Sequence, residues 1–132
     1  MTVFNGITAK DFSAFAEKLG LKPQTRHEDA DMAIVELAVH NCRSLAMMLV
    51  NAGGKGGKYS SIQFWIAWKD GITAEQANAW NSARRYAFAY RDEEGHANLQ
   101  MDVSVVGLTE EGVEHYLGLW SHMIAAFMQD MA

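Results

Sequence analysis

The chain has 132 residues and a mass of 14.7 kDa, enough for one compact domain and too short for a second. Hydrophobic residues at 49% and charged residues at 20% exclude wholesale disorder and a fibrous architecture. Eleven Lys and Arg against 16 Asp and Glu give a net charge of −5, which argues against a nucleic-acid binder because phosphate neutralisation needs surplus cations.

The charge is divided unevenly. From Asp92 onward the sequence carries eight acids and no Lys or Arg, whereas residues 1–91 carry eleven cations against eight acids. The C-terminal part is therefore expected to form an acidic surface, either as ordinary solvation or as a contribution to partner choice. The single cysteine, Cys42, cannot form an internal disulfide, and the first residues lack the basic segment and apolar run of a secretory signal. A cytoplasmic location is expected. No run of about 18 apolar residues occurs, so no membrane span is expected.

Thr8 can cap a first helix in which Phe12, Phe15, Ala16 and Leu19 recur at helical spacing before Gly20. Pro23 then forbids continuation, and the polar stretch from Thr25 to Asp31 reads equally as an edge strand or a loop. Three apolar runs follow, Met32 to Val39, Ser44 to Val50 and Tyr59 to Trp68, and they read as sequential antiparallel strands. His40-Asn41 is short enough for a hairpin turn, and residues 51–58 make a longer glycine-rich connection. Thr73 with Gln76 gives a capping box for a helix through about Ala83. Strands are predicted over Tyr86 to Tyr90 and Leu99 to Val106, joined by the exposed acidic turn Arg91 to Gly95. Thr109 caps a last helix with apolar residues at three- and four-residue spacing from Val113 to Met131. The predicted fold is α+β, a five-stranded antiparallel sheet with flanking helices in the order α-β-β-β-α-β-β-α.

Chemical motifs are few. Gly53-Gly-Lys-Gly-Gly-Lys58 fails as a phosphate loop, since Ala52 stands where glycine is needed and Tyr59 follows the lysine. The five histidines offer no convergent metal set, so neither a metal nor a cofactor is expected. Cys42 with His40 lacks an orienting third group and an oxyanion hole, and the acidic clusters Glu110/Glu111 and Asp92/Glu93/Glu94 fall on surface turns. No enzymatic activity is expected. Eight methionines are many for this length, and Met123, Met128 and Met131 cluster with Trp120 and Phe127 on the last helix. This stripe reads either as core or as a partner surface. Trp120, Phe127, Met128 and Met131 are the candidate interaction residues, with Trp120 and Phe127 expected toward the sheet and the two methionines outward.

The segment Asn78-Ala-Trp80-Asn81-Ser-Ala-Arg84-Arg85-Tyr86, followed by Gly95 and by Leu99-Gln-Met-Asp102-Val, resembles the YbjN family of bacterial sensory transduction regulators over about residues 59–128. The sequence departs from that family in having Val106-Gly107-Leu108-Thr109 in place of a Gly-Gly before the last helix. The resemblance implies a fold like that of type III secretion chaperones, a dimer, and no catalytic residues. Read physically, Asn78 and Asn81 satisfy backbone groups where helix passes into strand, Trp80 anchors that corner, and one of Arg84 and Arg85 pairs with Asp102. The function expected is a regulatory or chaperone-like protein-binding module acting on a protein partner as a homodimer, through an exposed sheet face or the last helix. The alternative is a small-ligand sensor in which Trp65, Trp68, Tyr86 and Tyr90 line a cavity between sheet and helix.

Overall fold

A computed structural model describes residues 2–50 and 58–131. Helix α1 (Ala9–Lys18) is followed by four strands, β1 (Gln24–Glu28), β2 (Met32–Val39), β3 (Cys42–Leu49) and β4 (Ser61–Gly71). Helix α2 (Ala74–Ala83), strands β5 (Phe88–Arg91) and β6 (His96–Ser104), and the 22-residue helix α3 (Glu110–Met131) complete the chain. All neighbouring strands are antiparallel, in the order β1-β2-β3-β4-β6-β5. The glycine-rich Gly53 to Gly57 stretch lies outside the described residues.

The sheet has six strands where five were expected. The extra strand is Gln24–Glu28, which begins one residue before the stretch from Thr25 to Asp31 whose polarity left strand and loop undecided. All five of its residues are exposed, so it has no alternating hydrophobic pattern, and pairing rather than burial holds it. Asp29 tightens the turn into β2 by accepting from the amides of Asp31 (2.8 Å) and Met32 (2.9 Å), and the Tyr59 hydroxyl donates to the Asp29 carbonyl at 2.6 Å. A register shift between Thr25 and His27 blunts this edge strand.

The other elements follow their local signals. Thr8 and Thr73 each form a reciprocal capping box, and Thr109 accepts from the Gly112 amide at 3.1 Å. His40 and Asn41 both have positive φ, as a two-residue hairpin turn requires. Two strand boundaries shift. Tyr86, at φ 75°, belongs to the turn before β5, and β6 begins at His96 because Asp92 accepts from the His96 amide and closes the preceding turn.

Helices α1 and α3 cover one face of the sheet. Beneath them lie Val35, Leu37, Ala46, Met48, Ile62, Phe64, Ile66, Leu99 and Met101, all buried. Phe64 packs against Phe12 of α1 (6.1 Å between centroids) and Trp120 of α3 (5.7 Å). A polar thread crosses this core. The Trp120 indole donates to Ser44 Oγ at 2.9 Å, and Ser44 donates onward to the Trp65 carbonyl at 3.2 Å, so two buried polar groups satisfy one another.

Candidate functional site

The face of the sheet opposite α1 and α3 is apolar in its centre. Outward positions of β2, β3 and β4 are occupied by Met32, Ile34, Leu45, Met47, Leu49 and Trp65, where an antiparallel sheet facing water normally alternates to polar residues. Register aligns Ile34, Met47, Gln63 and Asp102 in one row, and Glu36, Leu45, Trp65, Gln100 and Phe88 in the next. Ile34, Leu45, Met47, Trp65 and Tyr90 border a shallow depression of about 280 Å³. Leu49 and Phe88 are 37% and 41% exposed.

Trp65 is held rigidly on this face. Its indole donates to Asn98 Oδ1 at 2.9 Å, and the buried Asn98 amide donates to Asp92 Oδ2 at 3.1 Å and to the His96 carbonyl at 3.2 Å. The Asn98 amide is the main reason that the Asp92 carboxyl sits below the ordinary carboxylate range, with the His96 amide adding to it against a burial effect of opposite sign. Charge lies at the margins. Glu36 is held between Arg26, at 2.7 Å, and Arg43, while Asp102 accepts from Gln100 on the other half of the face. An exposed sheet face was one of the two surfaces expected from sequence, but its residues were not singled out, although a signal was available: β2 and β3 read as continuous apolar runs rather than as alternating strands.

A second feature lies between the far end of β4 and the last turns of α3. Trp68, Asp70, Gly71, Ala97, Phe127, Met128 and Met131 line a cleft of about 250 Å³. Its walls are fixed by contacts. Trp68 stacks on Phe127 with centroids 5.0 Å apart, Trp80 meets Phe127 edge-on at 5.1 Å, and the Cys42 thiol donates to the Met128 thioether at 3.6 Å.

The candidate interaction stripe divides accordingly. Trp120 and Phe127 are buried against the sheet and are not surface residues of the folded chain, whereas Met128 and Met131 are half-buried at the cleft. The four aromatics assigned to a ligand cavity do not converge. Trp65 and Tyr90 lie on the open face, Trp68 on the helix side, and Tyr86 is 65% exposed in its turn. Alternation of strand side chains separates Trp65 from Trp68, which are an odd number of residues apart.

At the corner between α2 and β5, Trp80 is buried and donates to the Ala87 carbonyl at 3.1 Å, and Asn81 exchanges two hydrogen bonds with Ala89. Asn78 is exposed on α2. Arg84 does not reach Asp102. Its guanidinium lies over Trp80 and pairs with Asp130 of α3 at 3.2 Å, because Arg84 caps α2 on the helix side while Asp102 points outward from β6. Gly95 has φ 87° in the β5–β6 turn, a conformation that favours glycine, and the Arg91 guanidinium crosses 3.3 Å from where its Cβ would be.

His40 and Cys42 are not brought together as a base and a nucleophile. His40 Nε2 lies 3.1 Å from both the carbonyl and the hydroxyl of Ser121, and the thiol faces Met128. Among the described residues no group of three or more His, Cys, Asp or Glu side chains is placed to hold a metal ion, and no helix is long and apolar enough to cross a membrane.

No curated protein and no solved structure matches the chain. The sequence model of the YbjN family, described as "Putative bacterial sensory transduction regulator", matches residues 8–132. That match runs from the cap of α1 through the whole of α3, taking in both the open sheet face and the Asn-Trp-Asn corner, and the chain belongs to the YbjN family.

Proposed function

We propose that this YbjN-family chain is a non-enzymatic, cytoplasmic regulatory or chaperone-like module that works as a homodimer, with the open sheet faces of two copies packed together. The observation that carries this reading is the apolar outer face of β2, β3 and β4 with Trp65 locked at its centre. Two such faces would form a four-layer arrangement with sheets inside and helices outside, the packing by which β-sandwiches bury apolar faces. Six strands about 4.8 Å apart, with central strands of about eight residues at about 3.3 Å each, give a face of roughly 24 Å by 26 Å before side-chain relief is counted. A standard interface needs about 800 Å² of accessible surface per partner. The flat dimensions come to about three quarters of a standard interface, and side-chain relief supplies the rest.

The marginal charges suit a two-fold axis running parallel to the strands between β3 and β4. Such an axis keeps the rows in register and sets β2 over the second copy's β6, so that Ile34 lies over Asp102 and the Arg26–Glu36–Arg43 cluster, with one surplus positive charge, is centred about 7 Å along the strand from that carboxylate, inside the screening length. The family description supports a regulatory role, which the helix layer, left free on the outside, would carry to a protein partner. Sedimentation velocity tests the arrangement. The wild type should sediment at twice 14.7 kDa and Met47→Glu as a folded monomer, with Met131→Glu still dimeric. A monomeric wild type, or a dimer broken only by Met131→Glu, would defeat it.

A further inference from the structure

We propose that the cleft between the end of β4 and the last turns of α3 binds a compact aromatic molecule of one or two rings bearing a cationic head. This binding is independent of the open face and of the dimer. Size sets the first limit. At about 250 Å³ the cleft is smaller than pockets for drug-sized ligands, roughly 300–1,000 Å³, and larger than the roughly 150 Å³ cavity that holds benzene.

Chemistry of the walls sets the second. Trp68, Phe127, Met128 and Met131 present ring surface and two thioethers, and thioether sulfur makes favourable contacts at aromatic ring edges. The walls are preformed, since Phe127 is held by Trp68 on one side and Trp80 on another, and Met128 by Cys42. Little ordering is left for a ligand to impose.

Charge sets the third. Asp70 is the one charged residue among the seven that line the cleft, and it stands at the exposed rim beside Gly71. On the adjoining turn of α3 the Asp130 carboxylate is already paired with Arg84, so it contributes little net field. An aromatic ring seated among Trp68, Phe127 and the methionines would therefore carry a cationic substituent toward Asp70. In a water-exposed setting, a carboxylate about 4 Å from a unit charge favours a cation by about five-fold over a neutral analogue and disfavours an anion by a similar factor.

Three probes sharing one ring separate these contributions: tryptamine, indole and indole-3-acetate. Each is titrated into the full chain, with the methyl groups of its methionines followed by carbon-13 NMR. The expected result is a shift of the Met128 and Met131 methyls, with affinity falling about five-fold from tryptamine to indole and about five-fold again to indole-3-acetate. Asp70→Asn, a change at an exposed position, should leave the indole affinity unaltered and bring the three probes together. The proposal is overturned if no probe moves those methyls at millimolar concentration, if Met32 and Met47 on the open face respond instead, or if the charge order survives in Asp70→Asn. Sedimentation of the same samples reads the dimer separately, so the two readings fail by different signals.

Discussion

The side chain of Asn81 takes the place of a neighbouring strand for Ala89. Its Oδ1 accepts from the Ala89 amide at 2.7 Å and its Nδ2 donates to the Ala89 carbonyl at 2.9 Å, the paired exchange that one antiparallel strand offers another. Because β5 is the last strand of the sheet, this carboxamide occupies backbone groups that would otherwise be open to pairing. Asn81→Ala should lower unfolding free energy in urea by about 1–3 kcal/mol, as expected for stripping a partner from a partly buried backbone pair. Hydrogen exchange at the Ala89 amide should accelerate in the same variant, and unchanged protection there would show that α2 shields the edge without Asn81.

Ser44 and Trp120 make a second prediction. Trp120 is fully buried, and its indole N–H has Ser44 Oγ as acceptor in a core otherwise built of apolar side chains. Ser44→Ala removes one hydroxyl and leaves that N–H without its partner, at a cost of about 1–3 kcal/mol. Trp120→Ala empties the space against Phe64 and should cost about 3–5 kcal/mol. Thermal and urea unfolding measure both. Wild-type stability in Trp120→Ala would remove Trp120 from the core.

Acid unfolding should report the turn carboxylates. Asp92 is lowered chiefly by the Asn98 amide, and Asp29 chiefly by His27, with the Asp31 and Met32 amides adding to it. A carboxyl lowered in the folded state contributes stability that is complete above its unfolded value and is lost as pH falls through the folded one, so the window lies below about pH 4. The melting temperature of the wild type should exceed that of Asp92→Asn by a constant margin between pH 5 and 7, and the margin should shrink as pH falls from 4 toward 2. A margin independent of pH would show that the Asp92 hydrogen bonds do not depend on its charge.

Elements with a strong local signal were legible in the sequence. The capping threonines, the hairpin at His40-Asn41, the apolar period of α3 and the split between inward Trp120 and Phe127 and the half-buried Met128 and Met131 all follow from short-range chemistry. Strand β1 was not legible, because an edge strand exposed on both faces has no hydrophobic period and is specified by its partner β2. The expected pairing of either Arg85 or Arg84 with Asp102 failed for a related reason, Asp102 accepting from Gln100 and Arg84 pairing with Asp130. The choice of Arg84 between Asp102 and Asp130 depends on where α3 passes relative to α2, which no spacing in the sequence encodes. An exposed sheet face was expected as one of two alternatives, but its residues were hidden within runs such as Met32–Val39, where apolar residues occupy both sides of the strand and composition does not say which side is covered.

Cross-linking at the centre of the open face reports whether two sheets pack face to face. Gln63 lies between Met47 and Asp102 in its row, and Lys10 is exposed on α1 in the opposite layer. In a Cys42→Ser background, Gln63→Cys should be joined into a covalent dimer at micromolar protein by a bis-maleimide whose span matches the roughly 10 Å between packed sheets, while Lys10→Cys stays monomeric in denaturing electrophoresis. A dimer captured through Lys10→Cys and not through Gln63→Cys would contradict the account and place the helix layer at the interface.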